Sequence, residues 1–150
     1  MLAREHRLRQ PELFRAATRK GARAGNLELV VHVWTGEATT LGRLVGFVVP
    51  KRVFRRATDR NRAKRRLRHL MRDKVAQLPA NAVVVVRVLP GLSDPSSLKL
   101  APALDDALAR ALAKDAARET SRAANGAANG AANRAPQGSC ASSARTEGDQ

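Results

Sequence analysis

The stretch from Asp59 to Arg72 carries two superimposed patterns that limit what this chain can form. Ala63, Leu67, Leu70, Met71 and Val75 follow the i, i+4, i+7, i+8 spacing of one helix face. Most of the other positions are basic, namely Arg60, Arg62, Lys64, Arg65, Arg66, Arg68 and Arg72. The pattern predicts a helix that is buried on one side and almost purely cationic on the other.

Like charges four residues apart on a helix repel each other by a few tenths of a kcal/mol per pair. Lys64 and Arg68 form such a pair, and so do Arg68 and Arg72. An array of phosphates relieves this repulsion and releases condensed counterions, so the clustered charge favours nucleic-acid binding. The alternative is a solvated basic face on a helix that only packs against the core.

The whole chain shares this charge bias. Lys and Arg number 28 against 13 acidic residues, which gives a net charge of +15 and a pI of about 11.7. Polyanions are therefore the expected partners: RNA, DNA or an anionic membrane surface. We find no apolar run typical of a signal peptide or a membrane span. The single cysteine, Cys140, provides neither a disulfide framework nor a zinc cluster, and a reducing cytoplasm is the predicted location.

The other elements follow from periodicity and from turn residues. Residues 1–10 are basic and have no predicted element, and Pro11 then begins a short helix that ends at Gly21. Strands are predicted at 27–34, 44–49 and 82–89, with the first two paired as a hairpin and the third central. With the basic helix to about Ala76 and a last helix along 98–112, the order is α-β-β-α-β-α. The predicted fold class is two-layer α+β.

The last part of the chain changes in composition. From about residue 114 the apolar periodicity fades, and Ala-Ala-Asn-Gly recurs at 123–126 and 127–130. Such sequence has no large apolar side chain to bury, so it cannot offset the entropy of ordering. We predict an RNA-binding domain over 1–113 and a disordered low-complexity tail over 114–150.

The run Arg60-Asn61-Arg62-Ala63-Lys64-Arg65, preceded by the pair Lys51-Arg52 after a strand, resembles the protein subunit of bacterial ribonuclease P. Phe14 in the first helix also matches that family. The resemblance covers about 8–112 and is most specific in 51–72. This chain departs from the family at Ala17, where a second aromatic is frequent, at Pro50, where Ser or Ala is usual, and in its Ala-Asn-Gly tail.

The resemblance implies a fold similar to the second domain of ribosomal protein S5, with a left-handed βαβ crossover through the central helix. It implies a large catalytic RNA as partner and precursor tRNA as substrate, whose 5′ leader is removed by hydrolysis. Mg²⁺ held mainly by the RNA performs the chemistry. No membrane and no obligate protein partner are expected.

Two sets of site residues follow from the pattern and the resemblance. The predicted RNA-binding residues are Lys51, Arg52, Arg56, Arg60, Asn61, Arg62, Lys64, Arg65, Arg68 and Arg72. The basic members are expected to contact phosphates and sugars, which position a protein without reading sequence. Asn61 brings neither charge nor helix propensity, so we expect it to form a fixed hydrogen bond, either to RNA or to residues 51–58.

The predicted leader-binding residues are Phe14, His32, Trp34, Lys51 and Arg52. Single-stranded RNA needs an apolar or aromatic floor with charge at its edge. His32 and Trp34 project to one side of the first predicted strand and are candidates for stacking bases. Packing against the sheet is the alternative for these two residues, and burial in the core is the alternative for Phe14.

The acidic residues give no sign of a protein nuclease. They are scattered, and Asp105 and Asp106 point about 100° apart on a helix. We therefore predict no catalytic and no metal-binding residue in the protein. The functional alternatives are a basic ribosome- or DNA-binding protein with no role in catalysis and a peripheral membrane helix. The apolar stripe is too narrow for the membrane helix, and no heptad repeat supports a basic-region dimer.

Overall fold

The computed structural model of the chain describes residues 2–35, 42–95 and 98–132. Its helices and strands are α1 (Pro11–Lys20), β1 (Ala22–Gly25), β2 (Leu29–Thr35), β3 (Leu44–Val48), α2 (Ala57–Arg72), β4 (Ala82–Val88) and α3 (Leu100–Ala132). Two short 3₁₀ helices lie at Arg4–His6 and Val75–Gln77. The strands form one sheet in the order β1-β2-β4-β3, so the predicted α+β class is confirmed.

The sheet pairing differs from the predicted hairpin. β2 lies antiparallel to both β1 and β4, and β3 lies parallel to β4. The predicted pairing of 27–34 with 44–49 is therefore wrong, whereas the central position predicted for β4 is right. α2 connects the parallel neighbours β3 and β4, which need a long crossover. The handedness of this crossover and the likeness to ribosomal protein S5 stay predictions.

Strand β1 was not predicted, and it turns back into β2 within a few residues. Its sequence, Ala-Arg-Ala-Gly, lacks the β-branched and aromatic residues that mark strands. The turn is closed by Asn26, whose Oδ1 accepts hydrogen bonds from the N–H groups of Glu28 (3.1 Å) and Leu29 (3.0 Å). This local closure gives β2 a nearer antiparallel partner than β3.

The main core lies between one face of the sheet and helices α2 and α3. Its α2 members, Ala63, Leu67 and Met71, are fully buried. They pack in one cluster with valines of β2 and β4 and with Leu104 and Ala107 of α3, among others. The apolar stripe predicted for the basic helix is thus buried, although α2 itself ends at Arg72.

A second, smaller cluster lies on the opposite face of the sheet beneath α1. Trp34, Val83 and Val85 pack there with Leu8 of the N-terminal segment and Ala17 of α1, and Phe14 is partly buried against them. The sheet is therefore covered on both faces, and only part of the α1 face is open to a ligand.

The domain boundary predicted at 113 stays a prediction, and α3 passes through it. The chain divides into the units Met1–Glu119 and Thr120–Gln150, and α3 continues past 113. Asp115 is buried, Lys114 Nζ donates to the carbonyl oxygen of Arg23 (3.2 Å), and Arg118 Nη1 donates to that of Lys20 (3.1 Å). Because these contacts are polar, the apolar periodicity of the sequence could not predict them. In the second unit residues 120–132 are helical, and 133–150 lie outside the described residues. The disordered tail over 114–150 stays a prediction.

Candidate nucleic-acid interface

The ten predicted RNA-binding residues lie on α2 and on the connection that precedes it. In this set Lys51, Arg52, Arg56, Asn61, Arg62, Arg65 and Arg72 are exposed, and Arg60, Lys64 and Arg68 are partly exposed. The buried residues Ala63, Leu67 and Met71 hold the opposite side of α2 in the core. This orientation fixes the cations at the surface, where they are available to a polyanion.

Arg60 has a structural partner that the sequence analysis did not anticipate. Its Nη1 donates hydrogen bonds to the carbonyl oxygens of Phe54 (2.9 Å) and Arg55 (2.8 Å). Phe54 is itself buried in the main core. Arg60 therefore holds the basic connection against the first turn of α2, and this adds a structural role to the phosphate or sugar contact predicted for it.

Asn61 was expected to bind either RNA or the connection. The residue is exposed, and no hydrogen bond joins its side chain to residues 51–58, which are all described. The connection is held by Arg60 instead. The hydrogen bond from Asn61 to RNA stays a prediction.

An open cavity lies beside α1, at one of the residues predicted to bind the leader. Phe14, Arg15, Thr18 and Arg19 of α1 and Val48 of β3 line an open cavity of about 280 Å³. The Phe14 ring lies against Gly46, where a methyl group would overlap it, so this close approach requires glycine. Lys51 and Arg52 follow β3 and are exposed, as an edge of positive charge requires.

The structure contradicts the stacking platform predicted at His32 and Trp34. Trp34 is 9% exposed and packs in the cluster beneath α1, and His32 is 8% exposed. Neither ring has an open face for a base, so the packing alternative is correct for both. For Trp34 the reason is that α1 covers this part of the sheet, which the strand pattern alone does not reveal.

His32 lies between two arginines. Arg23 is opposite it on β1, and Arg87 projects from β4 on the same face of the sheet. Burial, and then the charges of Arg23 and Arg87, lower the pKa of His32 below its ordinary value of 6.5. Its Nδ1 is buried and has no hydrogen-bond partner among the described residues. His32 is therefore a neutral core residue at neutral pH.

A basic cavity that the sequence did not predict lies at the outer edge of β3, where the N-terminal segment meets that strand. It has a volume of about 210 Å³ and is lined by Arg7, Leu8, Arg9, Phe14, Val45, Gly46, Phe47, Lys64 and Arg68. The N-terminal segment reaches β3 because the N–H of Leu8 donates to the carbonyl oxygen of Val45 (2.9 Å). The sequence does contain two large apolar residues in this otherwise basic segment, Leu2 and Leu8, and both are buried.

The described residues offer no group of three or more His, Cys, Asp or Glu that could hold a metal ion. In the same part of the chain, no helix is long and apolar enough to cross a membrane. What the surface offers is positive charge on a rigid helix beside a half-buried aromatic ring. Such a surface is typical of proteins that bind RNA.

The fold and this surface define a small α+β protein with one strongly basic, exposed helix face. Comparisons with known proteins identify the family. The family model described as Ribonuclease P matches residues 2–112. The "Ribonuclease P protein component" of Streptomyces avermitilis is 50% identical over 116 residues, covering 72% of this chain and 93% of that protein. That of a Nocardioides species is 48% identical over 109 residues, covering 72% and 92%.

Solved structures of RNase P proteins share the fold of this chain. The RNase P protein of Thermotoga maritima has a TM-score of 0.58 at 25% identity, over 69% of this chain and 96% of that one. The RNase P protein of Staphylococcus aureus shares the fold, with a TM-score of 0.59 at 22% identity over 71% and 97%. The chain belongs to the ribonuclease P protein family. The predicted family and the predicted function, as protein component of this tRNA-processing endoribonuclease, are confirmed.

Proposed function

We propose that the chain binds the catalytic RNA of ribonuclease P through α2 and the connection before it, and that it contacts the 5′ leader of precursor tRNA beside Phe14. The observation that carries the proposal is the orientation of α2. Its apolar stripe is buried in the main core, so its cations form a fixed outer face. A preformed array of this kind binds phosphates without first having to be ordered.

The exposed cations of α2 and of the connection position the RNA through its backbone. Arg62 and Arg65 project from the outer face of α2. Asn61, exposed between two arginines, donates or accepts a hydrogen bond with a nucleotide. Arg60 supports these contacts by keeping the connection, with Lys51, Arg52 and Arg56, next to α2.

The groove beside α1 receives the single-stranded leader. Phe14 and Val48 supply an apolar floor, and Arg15 and Arg19 supply charge from α1. Lys51 and Arg52, which follow β3, provide charge on the strand side. An aromatic ring can stack on any base, so this groove distinguishes RNA with a leader from RNA without one more than it distinguishes one leader sequence from another.

In this proposal the RNA subunit carries the hydrolysis, and Mg²⁺ bound mainly by that RNA supplies Lewis-acid chemistry to it. The carboxylates of the described residues form no cluster that fits the ion. The chain's own residues bind and orient the two RNAs. We place the complex in the cytoplasm, in keeping with the composition and the single cysteine.

The test is the salt dependence of binding to the catalytic RNA. Arg62→Ala and Arg65→Ala should each weaken binding and reduce the slope of log affinity against log salt by about one unit. Arg122→Ala removes the same charge from an exposed position of α3 and serves as the matched control. Arg122→Ala should keep the wild-type slope. If Arg62→Ala and Arg65→Ala keep it as well, the basic face of α2 is only solvated and the proposal fails.

A further inference from the structure

A cavity at the outer edge of β1 lies on the side of the sheet away from the strand that leads into α2. It has a volume of about 350 Å³ and is lined by residues 23–26, by Val30 and Leu89, and by Arg110 and Lys114 of α3. We call it the β1-edge cavity. β1 and β3 are the two edge strands of the sheet, so three strand spacings, about 14 Å, separate them.

The described lining of the β1-edge cavity is positively charged. It includes three cations, Arg23, Arg110 and Lys114, and no carboxylate. Arg110 forms an ion pair with Asp106 of the same helix. Arg23 and Lys114 are exposed, and no carboxylate of the described residues forms an ion pair with either of them. Two uncompensated positive charges on a concave surface attract an anion.

The backbone of β1 adds hydrogen-bond donors to this cavity. The N–H of Asn26 donates to the carbonyl oxygen of Leu29 (2.9 Å), so alternation along the strand turns the N–H groups of Arg23 and Gly25 away from β2. The carbonyl oxygen of Arg23 has this outward direction, because it accepts a hydrogen bond from Lys114 Nζ (3.2 Å). Gly25 has no side chain that could shield its N–H. Outward N–H groups beside cations suit the oxygens of a phosphate.

The two cations come from elements that are fixed by packing. Lys114 precedes the buried Asp115, which accepts a 2.7 Å hydrogen bond from Thr35 Oγ1. Arg23 lies opposite His32 in the pairing of β1 with β2. Fixed backbone positions limit the entropy that is lost when an anion binds. Lys114 also lies beyond residue 112, where the family match ends, so this chain adds it to the matched domain.

The apolar part of the β1-edge cavity is aliphatic. Its described apolar members are Ala24, Val30 and Leu89, and none of them is aromatic. Single-stranded RNA is recognised largely through bases that stack on aromatic rings, whereas paired RNA presents its phosphates and riboses. The lining therefore favours the backbone of paired RNA over an unpaired segment.

We propose that the β1-edge cavity binds phosphates of a base-paired segment of the catalytic RNA, separate from the segment that α2 binds. This rests on the proposed function and extends it to the opposite edge of the sheet. Arg23 and Lys114 supply the charge, and Gly25 supplies a backbone donor. The proposed leader groove includes Val48 of β3, at the other edge, so the leader of precursor tRNA is not the expected ligand.

The experiment compares Arg23→Gln and Lys114→Gln in the whole chain assembled with its catalytic RNA. Glutamine removes the charge, and at position 114 it keeps an N–H donor for the carbonyl oxygen of Arg23. Arg122→Gln, at an exposed position of α3 outside the cavity, is the matched control. The measurements are the salt dependence of the affinity and the protection of the RNA backbone from hydroxyl radicals at saturating protein. Thermal unfolding shows that each variant is folded.

Arg23→Gln and Lys114→Gln should each weaken binding to the catalytic RNA and reduce the slope of log affinity against log salt by about one unit. Both should lose protection of the same base-paired segment. That segment should stay protected in Arg62→Ala and Arg65→Ala, which act on the α2 side. Arg122→Gln should keep the wild-type slope and the wild-type protection.

Slopes and protection equal to those of Arg122→Gln would overturn the proposal. Loss of protection in an unpaired segment would also overturn it, and so would a loss of affinity for precursor tRNA alone. Each of these results leaves the proposed function standing if Arg62→Ala and Arg65→Ala still weaken RNA binding. If those two variants bind RNA like the wild type, the proposed function itself has failed.

Discussion

Thr35 Oγ1 donates a 2.7 Å hydrogen bond to Oδ2 of Asp115 and so joins the end of β2 to α3 across 80 positions of sequence. Asp115 is 6% exposed. Nearby, Lys114 donates a hydrogen bond to the carbonyl oxygen of Arg23, and Arg118 donates one to that of Lys20. These two bonds attach α3 to β1 and to the end of α1. The attachment lies just beyond residue 112, where the family match ends.

The first prediction concerns truncation. A chain that ends after Ala113 should have a free energy of unfolding lower by about 1–3 kcal/mol, because Thr35 loses its buried acceptor and the edge of β1 is uncovered. A chain that ends after Glu119 keeps all three contacts and is the matched control. Thermal unfolding should place the shorter chain several degrees below the longer one. Equal melting temperatures would show that the contacts contribute nothing.

The second prediction separates Arg60 from its neighbour Arg62. Arg60→Ala removes the hydrogen bonds to the carbonyls of Phe54 and Arg55, so it should lower the free energy of unfolding by about 1 kcal/mol as well as weaken RNA binding. Arg62→Ala should weaken RNA binding with a stability change within about 0.5 kcal/mol. Urea unfolding of both variants measures the difference. Identical stability of the two would refute the structural role of Arg60.

The third prediction is a pH dependence that comes from His32. Its pKa is lowered in the folded state by burial and by Arg23 and Arg87, so the folded protein binds a proton less readily than the unfolded chain. The contribution of neutral His32 to the free energy of unfolding is fully present above pH 6.5, the ordinary pKa of the imidazole in the unfolded chain. It is lost as the pH falls from there toward the lower pKa of the folded state.

The measurement is urea unfolding at pH 7.5 and at pH 5.5 or below, for the wild type and for His32→Gln. The wild type should lose more stability between the two pH values than the variant, which has no imidazole to protonate. The same loss in both proteins would mean that His32 does not titrate in this range.

The basic helix was predictable from sequence because one local pattern encodes both of its faces. The burial of Ala63, Leu67 and Met71 and the exposure of Arg62 and Arg65 follow directly from helical spacing. The fold class and the central position of β4 were predictable for a similar reason, since a continuous run of valines is typical of a strand buried on both faces.

What the sequence left open depends on contacts between distant residues. Trp34 projects from one side of β2, but only the position of α1 decides that its ring is covered. In the signature, it is Arg60 that donates hydrogen bonds to two backbone carbonyls of the connection, and the sequence did not predict this role for it. Sequence periodicity cannot predict which carbonyl oxygens an arginine contacts, because every residue has one.

The fourth prediction tests the leader groove at Phe14. Phe14 is half-buried, so Phe14→Ala should lower stability by less than the about 3–5 kcal/mol expected of a fully buried ring, and the protein should remain folded. Affinity for precursor tRNA should fall, while affinity for mature tRNA, which has no leader, should not.

Leu13→Ala is the control for Phe14, since Leu13 is partly buried on the same helix and does not line the cavity beside α1. It should lower stability without separating the two tRNA affinities. Equal loss of affinity for precursor and mature tRNA in Phe14→Ala would contradict the groove.

The division of labour between protein and RNA is tested most directly by 5′ cleavage of precursor tRNA in the presence of Mg²⁺. We expect the protein assembled with its catalytic RNA to remove the leader at modest salt. The same protein, freed rigorously of RNA, should leave the substrate intact, because its described residues offer no carboxylate or histidine cluster for metal-assisted hydrolysis. Cleavage at the mature 5′ end by the RNA-free protein would contradict this division.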